Sequence, residues 1–153
     1  MTVVCMSWMM ASLAVVLCAF VREGAPRTAA ERWFVVAPLS LFAGYVTAAT
    51  FANPAAALKG SGWMTPGASE TAWSVAMLVV AGVIGAWATL ATRGNVAYAL
   101  AIVWALVGIV VANTIEREEN LPVAVAAGSM AAVVAVALAW ARGAARRAVP
   151  APG

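Results

Sequence analysis

Histidine is absent from this sequence, and cysteine occurs only twice in 153 residues. Without histidine or a CxxC pair, the chain lacks the usual ligands of a zinc site and of a His-ligated haem. Cys5 and Cys18 lie on one apolar run, about 20 Å apart at the 1.5 Å rise of a helix, so they cannot form a disulfide within a straight helix. The sequence therefore predicts no metal site and no bound cofactor.

Charge is the second scarcity, because charged residues make up 10% of the chain against about 25% of a soluble domain. All of them fall between or beyond the long apolar runs, whereas ion pumps place ionisable groups inside the membrane. The sequence also shows no nucleophile paired with a base, no glycine-rich phosphate loop, and only a short basic tail. We therefore predict an integral membrane protein that is not an enzyme and does not bind nucleic acid.

Five apolar runs are long enough, or nearly so, to cross a hydrocarbon layer that needs about 20 helical residues. They predict an all-α fold, a polytopic transmembrane helical bundle of about five spans that forms one domain over residues 1–141. The short segment 92–95 predicts an antiparallel hairpin of the third and fourth helices, and residues 142–153 are predicted to form a basic, disordered tail. The predicted spans are residues 3–21, 33–58, 72–91, 96–113 and 121–141.

The distribution of basic residues predicts the orientation of the spans. Seven arginines fall on one side of the five spans, and two basic residues fall on the other. Since basic residues accumulate in cytoplasmic loops, the sequence predicts a multi-pass protein of the bacterial inner membrane with its N-terminus outside and its C-terminus in the cytoplasm. The two groups are Arg22, Arg27, Arg32, Arg93, Arg142, Arg146 and Arg147, and Lys59 with Arg117.

Polar side chains within the second run are the strongest indication of a binding site. The uncharged stretch PLSLFAGYVTAATFAN, from Pro38 to Asn53, contains Tyr45 and Thr47, and Trp104 lies in the middle of the fourth run. Polar groups in lipid are costly unless they face protein, ligand or water. Amphipathic aromatics at this depth are typical of an apolar cavity for a small molecule.

Purely structural roles compete with ligand binding for the same residues. An interhelical hydrogen bond would account for Tyr45 and Trp104, and threonine in a membrane helix usually bonds to its own i−4 carbonyl, which would account for Thr47. Asn53 precedes Pro54, where its amide can bond across helices or to the carbonyls that proline leaves free. The residues alone leave both roles open.

Small residues recur at four-residue spacing in three of the runs, which predicts close contact between helix backbones. They are Ser40, Gly44, Ala48 and Ala52 in the second run, Ala81 and Gly85 in the third, and Gly108 and Ala112 in the fourth.

The stretch PLSLFAGYVTAATFAN, followed by Gly62-Trp63, Trp73, Tyr98 and VWALVGI, resembles the longer bacterial branch of the TspO/MBR family, the tryptophan-rich sensory proteins related to translocator protein. The resemblance implies a helical membrane bundle, often a homodimer, that binds tetrapyrroles, sterols or similar hydrophobic ligands in a sensory or transport role.

Through this resemblance Tyr45, Thr47 and Asn53 become candidate ligand-binding residues, and Trp104 does so less directly. Longer relatives carry additional helices before this block, whereas one span precedes it here, so we expect an N-terminally shortened relative or a fragment of a longer protein.

The resulting hypothesis is a TspO-like membrane protein in which Tyr45 and Trp104 stack on a porphyrin-like or sterol-like ligand while Thr47 and Asn53 orient its polar edge. The alternative is a structural or assembly subunit that binds no ligand and packs the polar face of its second span on another membrane subunit. In both cases the lipid bilayer is the surrounding partner.

Overall fold

The computed structural model describes residues 2–22, 28–60, 68–116 and 120–147. Within these ranges the backbone is almost entirely helical and no strand occurs. For residues 52–60, 68–69 and 116, and for part of the first helix, only the backbone is described. The helices are α1 (Thr2–Arg22), the single turn α2 (Ala29–Glu31), α3 (Ala37–Gly60), α4 (Ala68–Ala91), α5 (Val96–Val111) and α6 (Leu121–Arg147), with π-helical turns at Arg32–Val36 and Ala112–Glu116.

The predicted all-α polytopic class is confirmed. Four helices of the described ranges are long and apolar enough to cross a membrane, namely Ala29–Phe51, Glu70–Ala91, Val96–Ile115 and Leu121–Arg147. The first apolar run forms α1, whose 21 residues are about as long as the hydrocarbon layer is thick.

The second span begins as a π-helix because of Pro38. Proline has no N–H to donate to the i−4 carbonyl, so a regular α-helix cannot continue through it unchanged. The turn Arg32–Val36 adopts the wider π form, and the N–H of Ala37 donates to the carbonyl of Arg32. A local π turn is one way in which a helix absorbs such a defect. This turn joins α2 and α3 into one membrane-crossing element.

Helices α3 to α6 form a four-helix group in which sequence neighbours are not always spatial neighbours. The most extensive contacts are those of α4 with α6 and of α3 with α5, and α5 also packs along α6. Helix α3 contacts α4 and carries α1 on another side, whereas α4 and α5 touch only slightly. The predicted reversal at residues 92–95 occurs, but the two helices that it joins lie diagonally across the group.

Alanine on α6 explains the tight packing at the centre. Its buried side chains recur every three or four residues, so they form one face of the helix, and most of them are small enough to let neighbouring backbones approach. They are Val123, Ala124, Ala127, Ala131, Val134, Ala137 and Ala141. These side chains meet a core that includes Leu78 of α4, Ile102 and Leu106 of α5, and Ala43 of α3.

The last helix runs past the predicted end of the domain. The sequence placed the start of a disordered tail at Arg142, whereas α6 continues to Arg147. The segment is rich in alanine and arginine, which are strong helix formers, and basic side chains are favourable at a helix C-terminus. Residues 148–153 lie outside the described residues.

Candidate ligand-binding surface on α3 and α5

A hydrogen bond between two helices fixes the start of α5 against α3. The side-chain amide of Asn95 donates to the hydroxyl of Ser40 at 2.7 Å, and its carbonyl oxygen accepts from the backbone N–H of Tyr98 at 3.3 Å. Asn95 is therefore the N-cap of α5 and a bridge to a completely buried serine. Asparagine suits both tasks because its amide carries a donor and an acceptor.

A second hydrogen bond joins the same helices deeper in the bundle. The Tyr98 hydroxyl donates to the Thr47 hydroxyl oxygen at 3.3 Å, and the Thr47 hydroxyl donates to the Ala43 carbonyl at 2.8 Å. Tyr98 is 2% exposed and Thr47 is 5% exposed. Both groups of this bond are thus satisfied by protein, as polar groups inside an apolar layer must be. We call the pairs Asn95–Ser40 and Tyr98–Thr47 the α3–α5 clasp.

Gly44 allows the clasp to form because it lets the backbones of α3 and α5 approach. A Cβ at this position would lie 2.6 Å from the Tyr98 carbonyl oxygen and 2.8 Å from the Ala101 Cβ. No larger residue fits there without moving one helix. The small-residue prediction is thus confirmed for Ser40 and Gly44, and also for Gly85, which would meet Ile102 of α5 at 2.9 Å.

The third predicted small-residue contact, at Gly108, is wrong. Gly108 is exposed, and a Cβ added to it would meet no atom within 4 Å. By helical spacing Gly108 lies about 20° from Ala101, on the α3 side of α5, but no described atom reaches it at this level.

Tyr45 and Trp104 lie on the protein surface. Tyr45 is 64% exposed and Trp104 is 80% exposed, so neither side chain enters the core of the described bundle. In a membrane these positions face lipid or whatever replaces lipid there.

The two aromatic residues share one side of the α3–α5 pair. On α3, Gly44 faces α5; the residue before it, Ala43, is buried in the core, and the next residue, Tyr45, is exposed. On α5, Ala101 faces α3 and the next residue, Ile102, is in the core.

The two helices run in the same direction, since the clasp pairs are separated by 55 and 51 residues. In two parallel helices that face each other, one side of the pair lies clockwise of the contact line on one helix and anticlockwise of it on the other. Tyr45 lies on the outer side of α3, rotated from Gly44 in the direction in which residue numbers increase. The outer side of α5 therefore lies in the opposite rotational direction from Ala101. Trp104, three residues after Ala101, is displaced about 60° backward at about 100° per residue, so it lies on the outer side with Tyr45.

An outward-facing groove follows from this arrangement. Its walls are large apolar or aromatic side chains, and small residues near the line of contact between the helices leave its floor open. We define the α3–α5 outer groove by Leu41, Tyr45 and Ala48 of α3 with Trp104 and Gly108 of α5.

Thr47 and Asn53 do not join this groove in the described structure. Thr47 points into the bundle, two residues and about 200° from Tyr45, and bonds to Tyr98. The back-bond to an i−4 carbonyl, which the sequence raised as a structural role for Thr47, occurs, and Thr50 makes the same bond to Val46 at 2.7 Å. The side chain of Asn53 lies outside the described residues. The ligand-binding role of the four predicted residues therefore remains a prediction. Two of them, Tyr45 and Trp104, share a surface.

Sequence reasoning missed Asn95 and Tyr98 as structural residues. An asparagine that follows a tight turn and begins an apolar run is typical of an N-cap. That signal was available locally. The identity of its partner, Ser40, was not.

A smaller polar cluster lies at the opposite end of the bundle from Asn95. The Asn120 amide donates to the Thr71 hydroxyl at 3.1 Å, which ties α6 to α4, and the Asn120 N–H donates to the Asn113 carbonyl at 3.2 Å. On α4, near Thr71, the indole N–H of Trp73 is buried and has no hydrogen-bond partner among the described residues. Among the described residues, no group of three or more Cys, Asp or Glu side chains could hold a metal ion.

Comparison with protein families gave a match. The sequence model described as TSPO-like protein matches residues 1–140. Comparison with curated proteins found no match, and neither did comparison with solved structures.

Proposed function

The chain belongs to the TSPO-like protein family, and on this premise we propose that it binds a hydrophobic small ligand, tetrapyrrole-like or sterol-like, in the α3–α5 outer groove. The observation that carries the proposal is the placement of Tyr45 and Trp104 on one outer side of the helix pair with high exposure. Flat aromatic side chains gain contact area with a flat apolar ligand at little entropic cost. The ligand would enter sideways from the bilayer.

The α3–α5 clasp supports this use of the groove. Two interhelical hydrogen bonds and the close approach at Gly44 hold the helices at a fixed spacing. A surface that keeps its shape binds with a smaller ordering cost than one that must form on contact. In this arrangement Thr47 stabilises the groove from behind through Tyr98.

A binding titration tests the proposal. The purified chain in detergent is titrated with protoporphyrin IX, and binding is followed by the absorbance of the porphyrin, so that loss of a tryptophan does not itself change the signal. We expect saturable binding that weakens at least several-fold in Tyr45→Ala and in Trp104→Ala. Trp87→Ala is the matched control, since Trp87 is 69% exposed on α4, outside the groove.

A second pair of variants tests the location without removing an aromatic residue. Gly108→Leu fills the open floor of the groove, and Ala132→Leu adds the same bulk to the exposed face of α6. We expect the first to reduce binding and the second to leave it unchanged. Equal affinities in all variants would contradict the groove as the binding site.

A structural role is the second candidate, and the open space at Gly108 favours it specifically. A glycine on an exposed helix face permits the backbone of another membrane helix to approach closely. In this alternative the groove receives a helix of another subunit, and the chain binds no small ligand. Linear, non-saturable porphyrin uptake together with co-purification of one specific membrane protein would select this function over the first.

The family and the spans make this a multi-pass membrane protein, and we propose that the arginine-rich end faces the cytoplasm of a bacterial inner membrane. Arg22, Arg32, Arg93 and Arg142 all lie near the end of the bundle at which Ser40 bonds to Asn95. C-terminal fusions test this orientation: a fluorescent protein that matures only in the cytoplasm should be active there, and alkaline phosphatase should be inactive. The opposite result would reverse the orientation.

A further inference from the structure

The α3–α5 outer groove offers hydrogen-bond donors but no charged group. None of its defining residues is charged, and among them only Tyr45 and Trp104 carry an O–H or N–H on the side chain. Neither of these side chains forms a hydrogen bond with a described residue, whereas the other tyrosine of the chain, Tyr98, donates to Thr47. Both donors are therefore available to a molecule that lies in the groove.

The register of α3 against α5 places the two donors at neighbouring depths. Gly44 lies against the Tyr98 carbonyl and Ala101, so the next residue of α3, Tyr45, is about level with Ala101. Trp104 is three residues further along α5, which is about 4.5 Å at the rise of a helix. Since both side chains are long and lie on the outer side of the pair, one polar group of a ligand can lie within reach of both.

The depth of Trp104 makes an acceptor favourable there. Trp104 lies near the middle of the span Val96–Ile115, where the surroundings are hydrocarbon and no water is available to the indole N–H. An unpaired polar group in such surroundings is costly. A ligand that brings an acceptor to this depth removes that cost, whereas a pure hydrocarbon leaves it in place.

The same surroundings select a neutral acceptor. A carboxylate at this depth would meet no positive charge among the residues of the groove, and an isolated charge in an apolar medium costs far more than a neutral polar group. A carbonyl oxygen is neutral, has two lone pairs and brings no hydrogen that would need a partner of its own. It can therefore accept from both donors at once.

We propose that the groove selects flat, neutral molecules that carry a ketone or quinone carbonyl, an inference that rests on the ligand-binding function proposed above. The carbonyl oxygen accepts hydrogen bonds from the Tyr45 hydroxyl and from the Trp104 indole N–H. The flat body of the molecule lies over Ala48 and Gly108, where the floor of the groove is open. The aromatic rings supply contact area for any flat ligand, and the two donors supply the selection among them.

Three flat probes with one ring system test this selection. Anthraquinone carries carbonyl groups, anthracene carries no polar group, and anthracenemethanol carries a hydroxyl. Each probe is titrated into the purified full chain in detergent, and its mole fraction in the micelles at half-saturation of tryptophan quenching is compared, so that neither water solubility nor signal amplitude enters. We expect anthraquinone to bind more tightly than the other two, by about two- to tenfold for each donor.

Phenylalanine variants separate the donors from the stacking of the rings. Tyr45→Phe removes the hydroxyl and Trp104→Phe removes the indole N–H, and both positions are exposed, so the core is unchanged. Each variant should lower the ratio of anthraquinone affinity to anthracene affinity by about two- to tenfold, because lost contact area weakens both probes alike. Trp87→Phe is the control, since Trp87 lies on α4 and is 69% exposed, and it should leave the ratio unchanged.

The outcomes distinguish the ligand chemistry from the binding function. If the probes bind saturably but Tyr45→Phe and Trp104→Phe leave the affinity ratio unchanged, the binding function stands and the carbonyl selection is overturned. Equal affinity of the wild-type chain for anthracenemethanol and anthraquinone also overturns the selection. If neither the probes nor protoporphyrin IX saturate, the binding function fails and this inference fails with it.

Discussion

Replacing Gly44 by alanine should destabilise the protein by roughly 1–3 kcal/mol, although the same replacement normally favours a helix by up to about 1 kcal/mol. The new methyl group would lie 2.6 Å from the Tyr98 carbonyl oxygen, which belongs to the backbone of α5 and cannot rotate away. Helix α3 would have to move out. That movement would also lengthen both clasp hydrogen bonds, each worth about 0.6 kcal/mol between membrane helices.

Two other glycines give graded controls for this reasoning. In Gly85→Ala the nearest atom is the terminal methyl of Ile102 at 2.9 Å, which can change rotamer, so we expect a smaller loss, about 1 kcal/mol or less. In Gly108→Ala the methyl group meets nothing within 4 Å, so the change should be neutral or stabilising by up to about 1 kcal/mol.

The measurement is equilibrium unfolding in mixed micelles with increasing dodecyl sulfate, followed by the helical signal in circular dichroism. The expected order of stability is Gly108→Ala at the top, then Gly85→Ala, then Gly44→Ala. If Gly44→Ala were as stable as Gly108→Ala, the close approach of α3 and α5 would not exist in the membrane protein, and the clasp would be refuted with it.

The remaining predictions concern single polar groups, each measured by the same unfolding assay. Tyr98→Phe removes the hydroxyl that donates to Thr47 and should cost about 0.6–1.5 kcal/mol; because Thr47→Val breaks the same bond, the double variant should cost less than the two single losses added together. Asn95→Ala loses both the N-cap and the bond to Ser40 and should cost about 1–2 kcal/mol. Asn95→Asp keeps an acceptor for the N-cap but cannot donate to Ser40, so it should lose less stability than Asn95→Ala. An equal loss of stability in both variants would contradict separate contributions from the N-cap and from the bond to Ser40. Trp73→Phe should cost less than about 1 kcal/mol, because its N–H has no partner among the described residues to lose; a loss of several kcal/mol would mean that this N–H is bonded.

Features set by nearby residues were predictable from the sequence. The apolar runs predicted the membrane class and the approximate helix bounds, since every backbone polar group in lipid must be bonded within its own segment. The back-bond of Thr47 needs only its own helix. The reversal at residues 92–95 also follows from local chemistry, because a positive φ suits Gly94.

Features set by the rotation of one helix against another were not predictable. The hydrogen-bond partner of Asn95, Ser40, is 55 residues away, and no sequence feature near either residue identifies the other. Tyr45 and Trp104 stand out in the sequence as amphipathic aromatic residues far from the span ends, but whether a side chain faces the core or the lipid depends on which helices pack against its own. In a chain this rich in small apolar residues, the sequence alone allows close packing at many rotations of each helix about its axis.

The diagonal placement of α4 and α5 has a consequence for biogenesis. These two helices leave the ribosome as consecutive segments joined by four residues, and yet they have little surface to share with each other. Each of them packs mainly on other helices. Helix α5 packs on α3, which is already in the membrane, whereas the main neighbour of α4 is α6, the last described helix to be synthesised. During translation α4 therefore remains only partly covered until α6 enters the membrane. An insertion chaperone that shields exposed membrane helices would have its longest contact with α4.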